Sequence, residues 1–243
     1  MPEGPSIVIL KEELALFKGK KVIEATGYAK ADLTRLKGKK ITAIKSWGKH
    51  LLICFKTCTV RIHLLLFGTY RINERKASNP TLRLSFDKDE LNFYTCAVKI
   101  IDEPPDEVYD WEVDLLSDQW NPDKVLKLLK KVPDMLLCDA LLNQDIFAGS
   151  GNIIKNEVLF RTHLHPLSKV GKLPLKKKKE LIQEARQYSF DFLEWKKAYV
   201  LKKHWLAHTR KTCPRCHIPF IKAYLGMTQR RSFFCNNCQI LYE

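Results

Sequence analysis

The sequence predicts an α+β fold in three parts: an N-terminal antiparallel β-sandwich headed by one helix, a helical region, and a C-terminal ribbon built on four cysteines. Three observations predict it. Short runs that alternate apolar and polar residues recur through roughly the first hundred positions, the apolar period turns helical after Asn121, and two CxxC pairs close the chain.

Ile7, Leu10, Leu14 and Phe17 recur at three-to-four spacing after Pro5, which predicts an amphipathic helix ending before Gly19. Strands are then expected over 21–25, 40–47, 51–55, 60–65, 69–72, 82–86, 91–94 and 98–101, separated by turn signals such as Asp87-Lys88-Asp89. Pro104 and Pro105 among four acids end this part of the chain, because proline cannot serve a central strand. A linker to about Ser117 follows. Val125, Leu128, Leu129 and Val132 share one helical face after Asn121-Pro122-Asp123, and further helices are expected over 139–144 and 153–160. Lys176 to Lys179 read as a solvated basic helix face. The domains so drawn are 1–112, 118–208 and 209–243, the last too small to build a core without metal.

The chain has 243 residues, 42 Lys and Arg against 27 Asp and Glu, and a formal charge of +15. Such a balance favours a polyanionic partner, nucleic acid or an acidic membrane surface. No apolar run is long enough to span a membrane and no secretory leader is evident, so a cytoplasmic protein is expected. Of eight cysteines, Cys54, Cys58, Cys96 and Cys138 lie in or beside apolar segments, where reduced cysteine acts as a small hydrophobe.

Cys213, Cys216, Cys235 and Cys238 have the spacing of a tetrahedral zinc ribbon, and four thiolates leave no open position for water. One structural zinc per chain is therefore expected. His217 competes as a ligand, but the cysteines already fill the tetrahedron. At the other end, Pro2 exposes a secondary amine if Met1 is removed. An α-amino group is partly unprotonated near neutral pH, and a secondary amine attacking an aldehyde carbon gives a cationic iminium, an electron sink for elimination. Glu3 brings a carboxyl group beside that amine for proton transfer. Asn152, after Gly149-Ser150-Gly151, reads as a helix N-cap, at a helix end whose free amides also suit an anion.

With MPEGP at one end, AGSGN in the middle and RRSFFCNNCQ at the finish, the chain resembles the formamidopyrimidine-DNA glycosylase/endonuclease VIII family along essentially its whole length, closer to the endonuclease VIII branch. The resemblance implies a helix-two-turn-helix domain for the helical region and a bifunctional DNA glycosylase/AP lyase of base excision repair. It further implies that Pro2 is the nucleophile and that Glu3 and Lys49 complete the catalytic set. Asn152, His63 and Arg230 would hold phosphates around the lesion, with Arg231 adding positive field, and Leu65, Leu66 and Phe67 would fill the stack that a flipped base vacates. Gln144 stands at a commonly retained family position, with no role read for it. The partner implied is double-stranded DNA with oxidised or abasic sites, bound by a monomer. Ser6 departs from the glutamate that often follows MPEGP, and little chain precedes Cys213 to form a long base-covering loop, which tilts the substrate towards oxidised pyrimidines. The residues leave two alternatives: a non-catalytic damaged-DNA-binding module of the same fold, and a zinc-ribbon protein associated with RNA or transcription.

Overall fold

The computed structural model describes residues 2–243, which fall into two compact units. The first holds Pro2 and residues 6–109; the second holds residues 3–5 and 110–243.

Helix α1 (Gly4–Glu13), which lies in the first unit from Ser6 onward, continues into a 3-10 turn over Leu14–Phe17. Its periodic residues Ile7, Leu10, Leu14 and Phe17 are all fully buried, as their spacing on one face requires. Eight strands follow: β1 (Glu24–Thr26), β2 (Ile41–Trp47), β3 (His50–Phe55), β4 (Thr59–His63), β5 (Thr69–Ile72), β6 (Leu82–Ser85), β7 (Glu90–Tyr94) and β8 (Ala97–Ile101). They form two antiparallel four-stranded sheets, ordered β1-β6-β7-β5 and β2-β3-β4-β8. One apolar cluster lies between them, with Leu51, Ile53 and Ile62 from one sheet, Leu84, Leu91 and Phe93 from the other, and the α1 residues at its end. This is the sandwich that the alternation predicts.

Two strands differ from expectation for local reasons. The run 21–25 does not stay in one sheet: Val22 donates to the Lys39 carbonyl, next to β2, whereas Ile23 donates to the Ser85 carbonyl in β6. Only its last part pairs as β1. The run 60–65 stops at His63, because Leu65 adopts φ +53° and the Gly68 amide closes a turn onto the Leu64 carbonyl.

The second unit is helical, with α3 (Pro122–Lys130), α4 (Leu137–Ala140), α5 (Asn152–Arg161) and α6 (Leu175–Lys197), and ends in a hairpin of β9 (Ile221–Leu225) and β10 (Arg230–Phe234). A single turn, α2 (Pro105–Val108), ends the first unit. Asn121 caps α3 by accepting from the amides of Asp123 and Lys124, and Pro122 occupies the first turn where its missing N–H costs nothing. The segment expected as a linker to Ser117 is instead packed: it forms a 3-10 turn over Trp111–Val113, and Val113 and Leu115 are buried. The helix expected over 139–144 is one turn, α4, followed by turns. Lys176 and Lys179 are exposed on the first turns of α6, while Lys177 reaches the Thr162 carbonyl. Among the described residues no helix is long and apolar enough to cross a membrane.

Phe93 is fully buried between the sheets. Phe93→Ala should cost about 3–5 kcal/mol of stability, read as a lower urea midpoint at unchanged slope.

Candidate active site and nucleic-acid interface

Glu3 is a carboxylate with no exposed surface, and the second unit builds its pocket from the start of α5. The Ile153 amide donates to its Oε1 at 2.7 Å and the Ile154 amide to its Oε2 at 3.2 Å. These are orphan donors of a helix N-terminus, where the backbone dipoles favour an anion. The approach depends on glycine at two places. A Cβ on Gly151 would overlap the Glu3 carboxyl group, and one on Gly4 would stand 2.9 Å from the Gly149 Cα. Gly4 also donates to the Gly149 carbonyl at 2.8 Å, so the two glycine-bearing motifs lie against each other.

This arrangement corrects the reading of Asn152 as an N-cap. Asn152 is the first residue of α5, the cap position is Gly151 with no side-chain bond, and the capping acceptor is Glu3. The Asn152 Oδ1 is buried and accepts no hydrogen bond in the protein. Gln144, for which the sequence suggested no role, braces the same loop: its Nε2 donates to the carbonyls of Leu142 and Ser150, and its Oε1 accepts from the Gly149 amide.

Three further polar residues of α5 were not singled out from sequence, and all are buried: Lys155, Asn156 and Glu157. Lys-Asn-Glu on a helix reads as a solvent face, but each side chain is spent on a neighbouring segment. Glu157 accepts from the amides of Leu206, Ala207 and His208. Asn156 donates to the Arg231 carbonyl and accepts from the Phe233 amide, and Lys155 donates to the Ser232 Oγ. From α4, buried Asp139 accepts from the amides of Met227 and Thr228 at the hairpin tip. The hairpin so held presents Arg230 and Arg231 to solvent, the latter bonded to the Tyr224 hydroxyl at 2.9 Å.

The four ribbon cysteines place their sulfurs within 4.8 Å of one another, with Cys213 and Cys238 3.8 Å apart. Thiolates about 2.3 Å from a tetrahedral ion stand ~3.8 Å apart, so this set can hold one. His217 is not part of the cluster.

In the first unit, Gly48 and Lys49 form the turn of the β2–β3 hairpin, where Trp47 pairs with His50. His50 pairs across β3–β4 with His63, the rings meeting edge to face at 5.3 Å, and Tyr109 and Trp47 pack on His50. Burial, then Arg61, His63 and Lys49, push His50 down to about 3; burial, then Lys49 and Arg61, lower His63. Both imidazoles are therefore neutral at physiological pH, leaving Lys49 and Arg61 as the cations of this patch. Beyond His63 the chain turns outward, with Leu65 45 %, Leu66 43 % and Phe67 80 % exposed while Leu64 is buried. Three consecutive exposed apolar side chains thus stand on a turn carrying a left-handed leucine.

The fold is that of DNA glycosylases of known structure. The formamidopyrimidine-DNA glycosylase of Lactococcus lactis bound to DNA containing an AP site superposes with a TM-score of 0.85 over 98 % of this chain and 99 % of its own, at 20 % identity. Residues 1–96 match the profile of the formamidopyrimidine-DNA glycosylase N-terminal domain. The chain is 32 % identical over 208 residues to endonuclease 8-like 3 of Mus musculus, covering 82 % of this chain and 34 % of that protein. It is 26 % identical to the formamidopyrimidine-DNA glycosylase of Lactobacillus helveticus (strain DPC 4571) across the whole of both chains. The chain belongs to the formamidopyrimidine-DNA glycosylase/endonuclease VIII family, and spans about a third of the length of endonuclease 8-like 3.

Glu3→Ala would leave two buried amides of α5 without an acceptor. A loss of roughly 2–3 kcal/mol is expected in urea unfolding, with Glu3→Gln, which keeps one acceptor, losing less.

Proposed function

We propose that the protein is a bifunctional DNA glycosylase and AP lyase of base excision repair, acting on oxidised bases, pyrimidines before purines, and on abasic sites in double-stranded DNA. The observation that carries this reading is Glu3: a fully buried carboxylate on the residue that directly follows the proline, fixed by two backbone donors. Burial of a carboxylate costs stability, so its retention next to a potential nucleophile points to chemistry.

In this mechanism the Pro2 nitrogen attacks C1′ of the damaged nucleotide. The sugar ring opens, the base departs, and the bond formed becomes an iminium that acidifies C2′. Proton loss there expels the 3′ phosphate, and a second elimination expels the 5′ phosphate. Glu3 accepts the proton that the amine must shed and returns one to the opening sugar, a role its fixed position suits. The nucleophile exists only when Met1, which lies outside the described residues, has been removed. Lys49, in the turn before His50, serves the reacting sugar and its phosphate, with His63 beside that phosphate. Asn152 at the start of α5 and Arg230 on the hairpin take the flanking phosphates. Leu65, Leu66 and Phe67 occupy the gap left by the flipped base, offsetting part of the few kcal/mol that extrusion costs.

In functional terms residues 1–112 supply the nucleophile and wedge, 118–208 the helix-two-turn-helix and 209–243 the ribbon. Zinc is the ion assigned to the four thiolates, with a purely structural role: it ties the ends of the Arg230 hairpin and supplies no reactive water.

Borohydride should trap the protein on a duplex carrying thymine glycol, as an adduct mapped to Pro2, with weaker trapping on 8-oxoguanine. Tight binding without adduct or strand cleavage, in protein shown by mass to lack Met1, would overturn the enzyme reading. Metal analysis should find one zinc per chain, and its removal by a chelator at pH 7 should melt the ribbon and abolish tight DNA binding.

A further inference from the structure

We propose that Lys155 is a positioning residue for Arg230, fixing from within α5 the strand that carries the phosphate-binding guanidinium. The proposal rests on the reading of Arg230 as a phosphate ligand.

The hairpin has two strands, so one edge of β10 has no strand beside it. Its backbone groups must still be satisfied where they are buried. The Arg231 carbonyl and the Phe233 amide face α5, and the Asn156 side-chain amide serves both, at 3.3 and 3.1 Å, in place of a third strand. Lys155 adds what an amide cannot: an ammonium 2.8 Å from the Ser232 Oγ and 3.2 Å from the same Arg231 carbonyl. The peptide between Arg231 and Ser232, one residue beyond Arg230, is thus held by two side chains from consecutive residues of one helix.

A lysine with no exposed surface is unusual, since a methionine would fill the same space without desolvating a charge. Around Lys155 stand Glu3 at the start of α5, Cys138 and Asp139 on α4, Arg230 and Arg231 on β10, and His208. Burial lowers its amine to about 8, while Cys138, Asp139 and Glu3 favour the charged form and Arg230 opposes it. Near neutral pH it is an ammonium, and its bonds to β10 are charge-assisted. Arg230 lies one residue before this clamp and is itself exposed. Its reach to a phosphate is set by the orientation of the peptide that Lys155 holds, and charge-assisted bonds weaken steeply when misaligned.

The test is a double-mutant cycle on the full chain, measuring equilibrium binding to a duplex with an uncleavable tetrahydrofuran abasic analogue at several salt concentrations. Lys155→Met and Arg230→Ala should each weaken binding about tenfold, the worth of one charge-assisted hydrogen bond, and each should lower the salt slope by about 0.9. The double variant should bind no more weakly than Arg230→Ala, because Lys155 acts through that residue. Wild-type affinity in Lys155→Met, or losses that multiply in the double variant, would overturn the proposal. If Lys155→Met fails to fold by circular dichroism, Ser232→Ala takes its place in the cycle. It removes the hydroxyl and keeps the charge, so a several-fold loss that vanishes in the Arg230→Ala background is expected; wild-type affinity overturns the proposal. Wild-type binding by Arg230→Ala would instead remove the phosphate reading on which the proposal stands.

Discussion

The seating of the Glu3 carboxylate on the first amides of α5 is the constraint from which the second unit follows. A buried carboxylate needs donors, and the free N–H groups of a helix start supply them. Once Glu3 occupies that place, the residue before the helix must be glycine, the turn that delivers it must expose the Gly149 carbonyl to Gly4, and Gln144 must brace the turn. Asn152, relieved of capping, is left with an unpaired oxygen.

The same helix organises what lies C-terminal to it. Short hairpins and thirty-residue ribbons have little core of their own, and here the apolar cluster around the cysteines is small. The deficit is met by polar anchors: Glu157 holds the segment entering the ribbon, Asn156 and Lys155 hold β10, and Asp139 holds the hairpin tip. Because each anchor uses directional bonds, the hairpin is fixed in angle as well as in place, which hydrophobic contact alone does poorly. Positive charge then has a defined address. The chain carries +15 overall, and Arg230 and Arg231 are two of those charges whose position on the protein is fixed in this way.

Local signals were legible and distant ones were not. The strand 69–72 is seen where alternation places it, Asn121 caps the helix it precedes, and paired CxxC spacing is enough to bring four sulfurs together. The 21–25 run misled because a strand that changes sheets keeps its alternation while changing partners. Lys155, Asn156 and Glu157 were invisible because burial of a polar helix face depends on what packs there, and no periodicity records that. The meeting of Glu3 with Gly151 leaves no trace in either neighbourhood: each motif reads as a complete turn or terminus, and only the missing Cβ at Gly151 hints at a visitor. Leu65 to Phe67 were legible as apolar, but their exposure is a property of the turn that ends β4.

The division of the chain has a consequence for how it can be taken apart. Residues 3–5 belong to the second unit although more than a hundred residues separate them from the rest of it. A fragment of residues 110–243 would therefore lack its own helix-capping group, with two amides and a glycine-lined socket left to water. The N-terminal peptide behaves as an inserted pin, and the second unit is a complete folding module only with that pin in place. Dissection of this protein into autonomous pieces would have to graft the pin back, by a linker or as a peptide in trans.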